Sequence, residues 1–196
     1  MARRVLITGA RAAAALDLAR AFVAAGWHVY LADCVAVCMA RWSRLAVHHH
    51  RYPAPRLHAA AFRAEIAGLV ERHAIDLVVP TCEEVFHLAA PALHELLGKK
   101  LYASDLPTLR LLHDKFAFAQ GCQAWGLSAP ESHALDDAEA LDPFMHVSRD
   151  WVFKPRFSRF GDRTLVGPDT ERLVRSRLAM ASGWMAQRRI VGDEAC

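Results

Sequence analysis

No apolar run in the sequence approaches the length of a bilayer, which argues against a helical membrane span. The start, Met1-Ala2-Arg3-Arg4, is basic, but the apolar run behind it, Val5–Ile7, is too short for a secretory signal. Charge of one sign is scarce too. The formal net charge of +3 and pI of about 8.7 are too weak a bias to argue for a nucleic-acid partner. The five cysteines are odd in number and irregularly spaced, which speaks against a disulfide framework and fits a reducing cytoplasm. Repeats are absent, and alanine-rich helix is the nearest thing to low complexity. What remains is globular: 196 residues, 54% hydrophobic and 23% charged, enough for one large domain or two small ones.

Glycine is missing where a dinucleotide would need it. The first turn reads I-T-G-A-R-A-A-A-A-L, and Asp33 ends the second strand where a ribose-binding acid would sit. Ala12–Ala15 occupy the positions at which G-x-G-x-x-G needs close backbone approach to a pyrophosphate. A Tyr-x-x-x-Lys pair is also lacking. Binding of NAD(P) is therefore the weakest of the nucleotide readings. A metal site is not expected either. Cys34, Cys38 and His48-His49-His50 lie close in sequence, but zinc needs about four convergent ligands at defined spacing, and this spacing fits no such pattern.

The pattern of apolar residues predicts α/β architecture. Arg4–Thr8 reads as a buried strand, Ala12–Ala25 as a helix ended by Gly26, and His28–Ala32 as a second strand, so a parallel β-α-β unit is expected. Residues 34–55 carry no clear element signal, and within them the prolines of Arg51-Tyr52-Pro53-Ala54-Pro55 mark an irregular loop. A helix over Ala59–His73, a strand Ile75–Val79, a helix Glu83–Leu97 and a fourth strand Lys99–Ala103 follow, then helices over Leu106–Leu112 and Asp114–Trp125. Gly126–Pro130 reads as a boundary. It separates a parallel α/β domain, residues 1–126, from a smaller α+β unit, residues 127–196. The second unit is expected to hold strands near Met145–Val147, Trp151–Lys154, Thr164–Val166 and Trp184–Arg188, with a helix near Thr170–Ala181.

Three stretches carry chemistry. The first is W-V-F-K-P-R-F-S-R-F-G-D-R-T-L-V-G, residues 151–167. An apolar strand delivers Lys154, Pro155 stops ladder pairing, and a turn with Ser158, Arg159 and Gly161 follows. A fixed ammonium beside a turn with exposed amides suits a polyphosphate, although an ordinary hairpin with a snorkelling lysine has the same pattern. The second is L-L-H-D-K-F-A-F, in which Lys115 opens an amphipathic helix; on helical grounds alone it is a solvated lysine. The third is Thr81-Cys82-Glu83-Glu84, at the carboxyl end of a strand where ligand crevices form. There Glu83 and Glu84 suit a substrate amine, or cap a helix with Thr81 and Glu84 as a capping box.

Taken in order, Lys115, the Lys154 hairpin and W-M-A-Q-R-R-I-V-G-D-E (residues 184–194) resemble the ATP-grasp superfamily. The resemblance is closest to its short proteins similar to the carbamoyl-phosphate synthase large subunit. It covers nearly the whole chain, as the first part of a longer pattern. It implies a Rossmann-like parallel sheet followed by a first ATP-grasp lobe. It also implies that ATP is held by Lys115, Lys154, Ser158, Arg159, Gly161, Gln187, Arg188, Arg189, Ile190 and Glu194. Residues 184–190 match the hinge strand whose main chain pairs with the adenine edge, with Arg188-Arg189 standing where an acid-aromatic pair is commoner. Glu194 falls where an acid contacts the ribose. Gly9, Glu83 and Glu84 fall on the substrate side.

The family's ligases make an acyl-phosphate from a carboxylate and ATP, then let an amine or similar nucleophile attack. The magnesium ligands are expected in a second lobe beyond Cys196, so the chain is expected to need a further half for turnover. A nucleotide-binding or scaffold module without chemistry is the alternative. Without the second lobe, Trp184, Met185 or Ile190 are expected to lie partly exposed beside strand edges and to favour self-association.

Overall fold

β1 (Arg4–Thr8) forms from a run rich in β-branched residues and is buried from Val5 onward. α1 (Ala13–Ala24) packs on it through Ala15 and Ala19, whose small side chains allow close approach. β2 (His28–Asp33) completes the β-α-β unit in parallel register, Arg4 opposite His28 and Thr8 opposite Ala32. Then come β3 (Val47–Arg51), α2 (Ala59–Arg72), β4 (Leu77–Pro80), α3 (Val85–Leu88) and α4 (Pro91–Leu97). The sheet order is β3-β2-β1-β4, all parallel. Strand alternation sends Val5, Ile7, Val29 and Leu31 toward α1, and Leu6, Tyr30 and Val78 toward α2, where Phe62, Ile66 and Leu69 meet them.

The computed structural model describes every residue except Met1, Arg44, Ala46, Arg159, Phe160, Asp162, Ala181 and residues 193–196. Among the described residues no helix is long and apolar enough to cross a membrane.

The first unit departs from the sequence expectation in three places. Residues 47–51, to which the sequence assigns no strand, are an edge strand, paired with β2 from Val29–Val47 to Asp33–Arg51. The expected strand Lys99–Ala103 reduces to one bridge, Val78 to Leu101. The expected helix 83–97 is two helices, because Pro91 has no N–H for the turn before it and instead stands in the first turn of α4.

The second unit contains α5 (Leu106–His113), α6 (Lys115–Ala124), β5 (Ser132–Leu135), β6 (Trp151–Pro155), β7 (Leu165–Val166), α7 (Thr170–Ser176) and β8 (Trp184–Arg188). The two compact units are Met1–Leu106 and Pro107–Cys196, so α6 is grouped with the second, twenty residues ahead of the 126/127 boundary read from the sequence. The second sheet is antiparallel in the order β5-β8-β6-β7. Its core gathers Leu135, Leu141, Phe144, Phe153, Leu173 and Trp184. Met145–Val147 is a turn, not a strand. It follows a 3-10 helix, Glu139–Phe144, that contains Pro143. The helix expected over 170–181 is α7 followed by a 3-10 turn, Arg177–Met180. β8 lies inside the sheet, so Trp184 and Met185 are buried, at 6% and 0% exposure, against the expectation that a strand edge would leave them open. Ile190, past the end of β8, is 71% exposed.

Candidate functional site

Register decides which side chains share a face of the second sheet. Phe153 pairs with Ala186 and faces the core, so its neighbours in sequence face the other way. Lys154 pairs with Met185, Val152 with Gln187, and Gln187 with Ser132. Lys154, Gln187 and Ser132 therefore stand on one face. Lys154 Nζ donates to Gln187 Oε1 at 2.7 Å. Gln187 Nε2 donates to Ser132 Oγ at 3.0 Å, and Ser132 Oγ donates to the Pro130 carbonyl at 2.9 Å. This relay fixes the orientation of the Gln187 amide and, through it, of the lysine.

Lys115 arrives on a different element. Asp114 caps α6 by accepting from the amides of Phe116 and Ala117 at 3.0 and 3.2 Å. The cap fixes the first helical residue, Lys115, whose Nζ donates to the Ser158 carbonyl at 2.8 Å, to Ser158 Oγ at 3.1 Å and to the Arg156 carbonyl at 3.3 Å. Arg156 returns to Asp114 through Nε at 3.0 Å from both carboxylate oxygens, with Nη2 on Oδ2.

A cleft of about 300 Å³ opens between α6 and this sheet face, lined by Lys115, Lys154, Gln187, Phe118, Cys122 and Pro130 among others. The apolar wall comes from α6 and the polar wall from the strands, a division common in small-molecule sites. Among the described residues that line it, none is acidic. Burial, and then the charge of Lys115, lower the pKa of Lys154; burial lowers that of Lys115, with Asp114 opposing. Two ammonium groups on one cleft, with no acid among its described lining residues, suit an anion.

The remaining second-unit residues are distributed around it. The Ser158 side chain is within the Lys115 network, and Gly161 turns the hairpin at a φ of +67°. Arg188 faces the opposite side of the sheet, its guanidinium 5.6 Å from the Trp151 ring centre and 3.7 Å from Asp150. The amides of Arg188 and Arg189 donate to the backbone carbonyls of Glu131 and Asp150, each at 2.8 Å. Among the described residues the Ile190 amide has no acceptor. Arg159 and Glu194 lie outside the described residues. Asp114, Ser132 and Cys122 were not singled out from the sequence. Only the helix-capping pattern at Asp114 carried a signal there.

In the first unit, Glu84 is 2% exposed while Glu83 is exposed, so the acidic pair splits. Glu84 Oε1 accepts from the Thr8 hydroxyl at 2.8 Å and from the amides of Thr81 and Cys82 at 3.2 and 3.3 Å. The Thr81 amide to Glu84 bond is half of the expected capping box. The Thr81 hydroxyl instead donates to the carbonyls of Thr8 and Gly9, at 2.8 and 2.9 Å. Gly9 brings its amide to the Tyr52 hydroxyl at 3.2 Å. Burial, then the charges of Glu84 and Asp33, push the Tyr52 hydroxyl pKa up, so it stays neutral. Asp33 accepts from Arg11 N at 2.8 Å, Arg11 Nη1 at 3.1 Å and Val35 N at 3.1 Å, so its carboxylate is engaged within the fold. Among the described residues no three His, Cys, Asp or Glu side chains gather as a metal site.

No protein-family model matches the sequence, and no curated protein matches it. Solved structures do. N5-carboxyaminoimidazole synthetase from Staphylococcus aureus, complexed with ADP, matches 96% of this chain and 48% of its own, with a TM-score of 0.74 at 14% identity. L-amino acid ligase from Bacillus licheniformis matches 97% of this chain and 45% of its own, at 0.73 and 18%. Biotin carboxylase from Campylobacter jejuni, in a complex with an ATP compound, matches 96% and 45%, at 0.66 and 16%. These neighbours are ATP-grasp ligases, and at such identities the likeness is one of fold. The chain spans about half the length of the solved structures it matches, 45–48%.

Proposed function

We propose that the second unit is the nucleotide-binding part of an ATP-grasp ligase and that its cleft takes the polyphosphate of ATP. One observation carries the reading: lysines from two distant segments, Lys115 and Lys154, line one cleft. The ADP and ATP-compound complexes of the structural neighbours support it. The adenine edge would meet the main chain at Ile190, beyond the ladder hydrogen bonds of Arg188 and Arg189. Ser158 and Gly161 would lie on the phosphate side, with Arg159 and Glu194 completing the set by resemblance.

We infer further that the chain is similar to the short relatives of the carbamoyl-phosphate synthase large subunit. The parallel order β3-β2-β1-β4 supports a Rossmann-like first domain for it. The reaction would join a carboxylate to an amine. A carboxylate oxygen attacks the γ-phosphorus, ADP leaves, the amine attacks the acyl-phosphate carbon, and phosphate departs. Glu84 Oε2, buried and without a partner among the described residues, is the acceptor an amine would take in the first unit. Gly9 packs against the other oxygen of that carboxylate, Oε1, and Glu83 lies at the solvent side. Magnesium, which this chemistry commonly uses, finds no fitting group of ligands among the described residues.

Calorimetry tests the binding. ATP should bind the chain, and Lys154→Met should weaken it by about tenfold or more, the scale of a charge-assisted phosphate contact. Equal affinity in both proteins would remove the proposal.

A further inference from the structure

The charge of this chain is unevenly spread. Residues 34–64 hold five arginines (Arg41, Arg44, Arg51, Arg56 and Arg63), four histidines and no aspartate or glutamate. Their five positive charges exceed the +3 of the whole chain, so the remainder is net negative. Within this stretch Val37, Met39 and Trp42 are 68%, 56% and 78% exposed. Three large apolar side chains within six residues make a patch, unlike the single exposed apolar residues that any surface carries.

Backbone geometry puts the three on one side. Cys38 is extended, at φ −141° and ψ 156°, so Val37 and Met39 flank it on the side opposite its own. Met39 and Trp42 begin and end a 3-10 turn, in which side chains three residues apart eclipse. Cys38 and Ala40 face the other way and pack into the cluster that holds Ala15 and Ala19 of α1. Arg41 Nη1 donates to the Ala36 carbonyl at 2.9 Å, and Arg51 Nη2 to the Cys34 carbonyl at 3.2 Å. These bonds tie two exposed arginines to the base of the same loop. Asp33 shares a small pocket with both, but it is buried and already accepts from Arg11 and the Val35 amide. The one acid of α1, Asp17, pairs with Arg20 at 3.0 Å.

We propose that the loop of residues 37–42 docks on an anionic lipid bilayer, with Val37, Met39 and Trp42 entering the headgroup boundary and Arg41 and Arg51 meeting the anionic headgroups. The contact belongs to the first unit and is independent of the nucleotide cleft. It needs no spanning helix, and none is present among the described residues. The chemistry selects this partner. Tryptophan settles at the boundary between membrane and water, and arginine reaches headgroups while its stem stays against apolar surface. A nucleic acid would use the guanidinium groups but leave Val37 and Met39 in water. A second copy related by a twofold axis would bring two basic faces together.

Flotation of the full chain with phosphatidylcholine vesicles, carrying about 30% phosphatidylserine or none, tests the proposal. The chain should float with the anionic vesicles about tenfold or more better than with the neutral ones, and salt should release it. The triple variant Val37→Ser, Met39→Ser, Trp42→Ser should lower the partition by about tenfold or more. Arg41→Gln should lower it about fivefold. Val174→Ser, at a half-exposed apolar residue of α7, should change nothing. Should the triple variant fail to fold, Trp42→Ser alone replaces it and should lose about threefold or more.

Equal flotation with both kinds of vesicle, no flotation, or flotation unchanged in the apolar variants overturns the proposal. A lipid-free dimer that the triple variant breaks, together with no flotation, overturns it in favour of a second copy. Capture by a DNA duplex that equals capture by anionic vesicles, with both indifferent to the triple variant, overturns it in favour of charge alone.

Discussion

Asp114 and Arg156, 42 residues apart in the chain, form a two-pronged ion pair in which one carboxylate also caps a helix. Burial works against this carboxylate, but the Arg156 hydrogen bonds and charge and the two helix amides outweigh it. Its pKa is held below the ordinary value. The pair joins the start of α6 to the exit of β6, the two places from which the cleft lysines come.

Asp114→Ala removes the cap and leaves the partly buried Arg156 guanidinium with only the more distant Asp136 carboxylate, at 3.8 Å. A loss of about 2–3 kcal/mol in unfolding free energy is expected from those two terms. Asp114→Asn retains a cap acceptor and should lose less. Urea denaturation of both variants checks the order. Because the folded pKa is depressed, the stability this group contributes is complete above the ordinary carboxylate value and is lost as pH falls through the folded one. Asp114→Asn should therefore have a shallower acid transition below about pH 4 than the unaltered chain.

A second pH dependence belongs to the first unit. His50, on the edge strand β3, packs against Tyr30 and His73, with His48, Arg72 and Glu65 also near. Burial, then the charges of His73, His48 and Arg72, lower its pKa, with Glu65 opposing. A lowered histidine contributes stability that is complete above its ordinary value of about 6.5 and declines as pH falls below it. The urea midpoint should drop between about pH 7.5 and 5.5, and His50→Gln should flatten that slope. An equal slope in the variant would assign the effect elsewhere.

Gly9 has a φ of +68°, and a Cβ there would come within 2.7 Å of Glu84 Oε1 and 2.8 Å of Thr81 Oγ1. Gly9→Ala should cost about 2 kcal/mol or more, from backbone strain and from displacing Glu84. Glu84→Ala should cost about 3 kcal/mol, because it strands the Thr8 hydroxyl and two buried-side amides. Thermal unfolding of the two variants gives the comparison.

Much of this was legible in the sequence where local pattern and burial agree. β1, β2, α1, α2 and the strand that carries Lys154 follow directly from apolar spacing. β3 was not legible, because V-H-H-H-R lacks alternation and only its pairing with β2 makes it a strand. β5 was missed for the same reason. S-H-A-L has modest strand preference and is held by its register with β8. Met-His-Val at 145–147 looked like a strand locally, but it ends a 3-10 segment built around Pro143. Within the site, Lys154 and Lys115 could be named from the sequence, but their unequal partners could not. The Lys154–Gln187 bond depends on the β6–β8 register, and the Lys115–Ser158 bonds depend on how α6 meets the exit of β6.

On the proposed function the nucleotide site lies in the second unit, on the face of the sheet that carries Lys154. Amide shift mapping during an ATP titration of the full chain tests it most directly. The account predicts the largest shifts at Lys154, Gln187, Cys122 and Ile190, saturating together with one affinity. Shifts confined to Gly9–Ala12 and Asp33, the turn where a dinucleotide would bind, would contradict it, as would no shifts at all.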